Sequence, residues 1–99
     1  MMYQFRLFVA GDTLISRRAL NNVRRLCEVQ LGGQAELQII NVQTEPHLAE
    51  LERIVATPTL VKDAPAPRMR MIGDMSDPDR LLMVLGVDLS YSENEGSSG

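Results

Sequence analysis

The sequence has no tryptophan, one cysteine, one histidine, two tyrosines and two phenylalanines among its 99 residues. A lone thiol, Cys27, cannot close an internal disulfide, which points to a reducing compartment. Cys27 and His47 together are too few nitrogen and sulfur ligands for a zinc site, and they cannot complete a histidine-based triad. The scarcity of aromatics leaves a core of aliphatic residues filled in by methionine, of which there are six. No apolar run approaches the roughly 18 residues needed to cross a bilayer, and no cationic, apolar leader ends in a cleavage site, so a cytoplasmic location is expected. The net charge of −3 argues against nucleic acid as the main partner. No GxxxxGK[ST] or GxGxxG pattern is present to cradle a phosphate, so no cofactor is expected.

What is present is the balance of an ordinary globular protein, with 44% hydrophobic and 23% charged residues. A chain of this length makes one domain and buries about 65% of its unfolded surface. We place that domain at residues 1–89. The polar segment 90–99 has no core-forming pattern and is expected to be disordered.

The run from Tyr3 to Ala10 alternates Phe5, Leu7 and Val9 with Gln4, Arg6 and Phe8, a strand that breaks at Gly11-Asp12. Ile15, Ala19, Leu20, Val23, Leu26, Cys27 and Leu31 recur at helical spacing; Thr13 or Ser16 caps this helix and Gly32-Gly33 stops it. Ala35 to Val42 is β-prone, and the intervening helix makes a parallel βαβ unit with the first strand. A second helix starts at Thr44 with Pro46 in its first turn, burying Leu48, Leu51 and Val55. Thr57-Pro58 ends it, because a residue before proline avoids the α region. Thr59–Lys62 and Met69–Ile72 read as a hairpin of two strands, and Ser76 with Asp79 as the capping box of a last helix whose apolar face is Leu81, Leu82 and Leu85, closed by Gly86. The order βαβαββα, with Pro58 entering the third strand, is the α/β thioredoxin-like plan, in which that proline is cis.

The chemistry of a thioredoxin is absent from the corresponding place. A redox thiolate belongs at the start of the first helix, where the helix dipole favours it, and here the residues are Gly11-Asp12-Thr13-Leu14-Ile15. Cys27 lies mid-helix with Val23 and Leu31 and reads as a core residue, and His47 as a surface one. Arg17, Arg18, Arg24 and Arg25 form either a solvated helix face or an electrostatic docking patch. The pairs Asp77/Asp79 and Glu50/Glu52 are two apart and diverge on a helix, so they do not make an acid–base pair. No residue is assigned a catalytic role.

The segments Phe8-Val9-Ala10-Gly11, Ile54-Val55-Ala56-Thr57-Pro58-Thr59-Leu60-Val61-Lys62, Pro65-Ala66-Pro67 and Arg70-Met71-Ile72-Gly73-Asp74-Met75-Ser76 resemble the KaiB family of circadian clock proteins from about Tyr3 to about Leu89. The KaiB-like N-terminal domain of the SasA kinase is similar as well. The resemblance implies a metamorphic, non-enzymatic protein with two folds: a tetrameric ground fold, βαββααβ, and a monomeric thioredoxin-like fold. The second form docks on the ATPase ring of KaiC and then sequesters KaiA. By matched position it implies Arg18, Arg53, Lys62 and Arg70 as partner-binding residues, each of which could equally serve solubility alone. The family often has lysine where this chain has Gln38, on a strand expected to meet KaiA.

The sequence departs from the family in its final segment, where Val84 and Gly86 stand at the glycine and the aspartate of a Gly-x-Asp step. A side chain in place of an interior helix glycine favours the helix by about 0.5 kcal/mol, and glycine at position 86 suits a helix stop. The thioredoxin-like monomer is therefore expected at rest. Two further readings stay open: a KaiB-like module acting on a stress or signalling regulator, and a thiol redox protein.

Overall fold

Thr13 illustrates how local chemistry sets the first helix. Its Oγ1 accepts the backbone N–H of Ser16, so Thr13 rather than Ser16 is the cap. The computed structural model of the chain describes residues 2–84 and 86. Its elements run β1 (Tyr3–Val9), α1 (Leu14–Arg25) with a π-helical extension over Leu26–Gln30, β2 (Ala35–Asn41), α2 (Pro46–Leu51), β3 (Thr59–Ala64), β4 (Met69–Ile72) and α3 (Pro78–Val84). The sheet order is β2-β1-β3-β4, with β1 parallel to β2 and antiparallel to β3, and β3 antiparallel to β4. This is the βαβαββα thioredoxin-like arrangement. Leu85 and residues 87–99, which include the expected domain end and polar tail, lie outside the described residues.

Strand alternation divides the core in two. Phe5, Leu7 and Val9 of β1 pack with Leu60 and Met71 against Ala19, Val23, Leu26 and Cys27 from the first helix and Leu81 and Leu82 from α3. Phe8 points to the other face, where it meets Ile40 and Val61 beneath Leu48 and Ile54. Arg6 shares the parity of Phe8 and stands 5.4 Å from the centre of its ring.

Local expectations fail in three places. Helix α2 starts at Pro46 and ends at Leu51, and Leu51 and Val55 are exposed rather than buried. The cause is a chain reversal at Arg53, which has a positive φ of 54°. Arg53 N–H donates to Glu50 O and Ile54 N–H to Ala49 O, a Schellman turn that swings Ile54, not Val55, onto Leu48. At α3 the cap is Asp77, whose Oδ1 accepts from Arg80 N–H, while Ser76 N–H donates to Asp74 instead of joining a capping box with Asp79. Ile15, in the first turn of α1, is also about half exposed, and Ser16 takes the buried position.

Leu48 and Leu51 are chemically alike and environmentally opposite. Leu48→Ala is expected to lower unfolding free energy in urea by about 1–2 kcal/mol, and Leu51→Ala to change it by less than about 0.5 kcal/mol. Equal losses would show that α2 continues beyond its turn.

Candidate docking site at the end of the second helix

Arg6 is a cation on the inner face of the strand that pairs with both β2 and β3, a position that only carboxylates make tolerable. Asp63 on β3 meets it in a bidentate fork, Nε to Oδ2 at 2.6 Å and Nη2 to Oδ1 at 2.7 Å. The Nη2 group also donates to Glu52 Oε1, and the Glu52 residue caps the C-terminus of α2. Arg68, in the β3–β4 loop, closes the cluster with bonds to Glu52 Oε1 at 2.9 Å and Asp63 Oδ1 at 3.0 Å. Both carboxyls are held below the usual carboxylate range, chiefly by the hydrogen bonds from Arg6 and against the opposing effect of burial. Arg6 is correspondingly raised, first by its hydrogen bond to Asp63, and Arg68 by the same carboxylate.

Arg70, across the hairpin on β4, faces the same cluster. Its Nη2 donates to Glu52 O at 2.9 Å and its Nη1 to Arg53 O at 3.3 Å, so a side chain from the sheet covers the carbonyls that the helix end leaves over. Arg53 is thereby fixed in its left-handed turn, while its own guanidinium is exposed and makes no hydrogen bond or ion pair among the described residues.

The residues proposed from sequence for partner binding are thus only partly brought together. Arg53 and Arg70 lie side by side at the end of α2. Arg18 is exposed on α1, which packs on the opposite face of the sheet. Lys62 is a correction: it is 2% exposed, because its neighbour Val61 takes the α2 face and alternation turns Lys62 inward under α3, 3.7 Å from where a Cβ on Gly86 would stand. It is absent from the docking surface in this arrangement. Pro58 is cis and buried at the entry to β3; the bonds before Pro65 and Pro67 are cis too. Helix α3 runs through Val84, and Gly86 follows with φ 76°, in the left-handed form that glycine adopts freely.

Sequence reading missed Arg6, Glu52, Asp63 and Arg68. One local signal was available: Arg6 shares a strand face with Phe8, and a charge on a half-apolar face implies a partner. At the start of the segment that corresponds to the thioredoxin active site, Gly11 has φ 73°, a left-handed conformation that glycine adopts without strain. Cys27 is buried, and desolvation, with Glu28 adding to it, pushes its thiol up and away from the thiolate form. Among the described residues no group of three or more His, Cys, Asp or Glu is placed to hold a metal, and no helix is long and apolar enough to cross a membrane.

The cluster makes a pH prediction. Glu52 and Asp63 have folded pKa values below their unfolded ones, so their stabilisation is complete above the ordinary carboxylate range near 4 and is lost as pH falls through the lower folded values. Arg6→Met is expected to cost about 1–3 kcal/mol at pH 7 and to flatten the acid limb of the stability curve. Parallel acid limbs for the two proteins, measured by urea unfolding from pH 7 to pH 2, would contradict this.

Comparison with known proteins agrees with this fold. The model of the KaiB domain matches residues 6–87. The circadian clock oscillator protein KaiB of Parasynechococcus marenigrum is 46% identical over 98% of this chain and 94% of its own length, and that of Synechococcus elongatus strain PCC 7942 is 44% identical over 96% and 91%. Among solved structures, the N-terminal domain of Synechococcus elongatus SasA is similar at a TM-score of 0.70 and 31% identity, covering 90% of this chain and 88% of that domain. Mitochondrial thioredoxin 3 of Saccharomyces cerevisiae shares the fold alone, with a TM-score of 0.65, 18% identity, and coverage of 82% and 74%. A thioredoxin-like sheet with no thiol at its active-site position, carrying the KaiB domain over nearly its whole length, places the chain in the KaiB family.

Proposed function

We propose that this chain is a non-enzymatic regulator that docks as a thioredoxin-like monomer on the ATPase ring of a KaiC-type protein in the cytoplasm and thereby modulates KaiC phosphorylation and circadian timing. The observation that carries the reading is the end of α2, where Arg53 projects a guanidinium that engages no other described residue, from a turn held by Arg70. Arg18 on α1 offers a second cationic contact. Guanidinium groups suit acidic surfaces because their planar forks pair with carboxylates two bonds at a time. The family resemblance extends the reading to KaiA at the exposed edge of β2, and there Gln38 replaces the lysine the family often carries, a departure that counts against a KaiA contact.

Val84 and Gly86 make the docking form the resting one. The helix continues through Val84, and Gly86 takes the left-handed turn after it. The family's glycine and aspartate at these two positions favour the other fold. A competent form populated at only about 1% weakens apparent affinity roughly a hundredfold; a chain already in that form avoids the loss.

The direct test is titration of the purified protein into KaiC hexamers, followed by native mass spectrometry. Complex formation without a lag is expected. Arg18→Glu and Arg53→Glu should each weaken it about tenfold or more, whereas Cys27→Ser should leave it unchanged. No complex with KaiC would favour the alternative partner, a stress or signalling regulator, and loss of activity in Cys27→Ser would revive thiol chemistry.

A further inference from the structure

A cleft of about 120 Å³ lies between the end of the first helix and the segment that leads from β4 into α3. Its apolar lining is built from buried residues, Leu26 from the first helix and Met75, Leu81 and Leu82 from the other wall. Asn22, Arg25, Gln30 and Ser76 supply the polar part of the lining. Two departures from regular backbone border the cleft. The first helix loosens into its π-helical turn at Leu26, where Leu31 N–H donates to Leu26 O five residues back, and such turns are frequent at functional sites. Met75 holds a φ of 62°, in the left-handed region that side-chain-bearing residues disfavour, although it is buried. Asn22 Nδ2 donates to Asp74 O at 2.8 Å and ties that segment to α1.

We infer that this cleft binds a small organic acid, a carboxylate carried on a ring or branched chain of about six heavy atoms. The size follows from the volume, since an apolar cavity of about 150 Å³ admits benzene. The charge follows from Arg25, the only charged side chain among the described residues that line the cleft, which makes no hydrogen bond or ion pair with any of them. Of the acids nearby, Asp74 Oδ1 accepts from Ser76 N–H and Asp77 Oδ1 from Arg80 N–H, and neither residue lines the cleft. A guanidinium beside an apolar slot recognises a carboxylate with an apolar body, its fork taking the two oxygens. The Ser76 hydroxyl and the Gln30 amide, both without a described side-chain partner, add further donors. Because α1 supplies one wall and the segment into α3 the other, a bound acid would clamp the last helix to the first.

Benzoate is the probe, with benzyl alcohol and benzylamine as its neutral and cationic counterparts. Each is titrated into the full chain and followed by backbone amide NMR shifts and by the thermal midpoint. Benzoate should bind saturably, move the amides of Leu26, Gln30, Met75, Ser76 and Leu81, and raise the midpoint as its concentration rises. Benzyl alcohol should bind about tenfold more weakly, and benzylamine not at all. Arg25→Leu should reduce benzoate to the affinity of benzyl alcohol. Arg24→Leu, which removes an exposed and unpaired arginine one residue away, should leave benzoate binding unchanged. Ser76→Leu fills the cleft while keeping the backbone bond to Asp74, and should abolish binding of both molecules without lowering the midpoint of the free protein. No response to benzoate, shifts that spread over the arginines of α1 without saturating, or an equal response to benzylamine would overturn the site. So would equal losses from Arg24→Leu and Arg25→Leu, or full binding by Ser76→Leu.

Discussion

The guanidinium of Arg6 is the constraint on which much of this fold depends. It lies on the α2 face of β1, next to the buried ring of Phe8, where a cation is stable only if carboxylates come to it. Asp63 comes from β3 and Glu52 from the end of α2, and their arrival fixes where the helix stops and which way the chain turns. Once Glu52 is held, Arg53 falls in the left-handed turn, Ile54 seals Leu48, and Leu51, Arg53 and Val55 face solvent. A requirement of the interior thus sets the chemistry of a surface.

Much of the architecture was legible because it rests on local signals. Alternation in Tyr3–Val9, helical spacing from Ala19 to Cys27, the Gly32-Gly33 stop and the proline at the entry to β3 each act within a few residues. The ion-pair cluster was not legible in the same way, since Arg6 meets Asp63 across 57 positions and Glu52 across 46. For the same reason α2 was read as burying Leu51 and Val55: its end is decided by Arg70 and Glu52 rather than by its own periodicity. Lys62 misled because a lysine in a short strand suggests a surface, whereas parity with Leu60 places it inside.

The thioredoxin-like scaffold is here separated from thioredoxin chemistry by a small number of physical facts. Gly11 occupies the tight turn ahead of α1, and the one thiol is buried with its pKa raised. What remains is a four-stranded thioredoxin-like sheet in a chain that belongs to the KaiB family. At the other end of the chain, Gly86 turns the backbone after α3, and a Cβ built there would stand 3.7 Å from the Nζ of the buried Lys62.

The most direct test of this account is an NMR backbone and arginine side-chain assignment of the isolated protein at two concentrations. The account predicts helical carbon shifts over Pro78–Val84, extended shifts over Thr59–Ala64 and Met69–Ile72, a protected Arg6 Nε–H that loses protection in Asp63→Asn, and no dependence on concentration. Helical shifts between Val61 and Arg70 with extended shifts after Asp79, in a slowly tumbling oligomer with Arg6 Nε–H in free exchange, would contradict it.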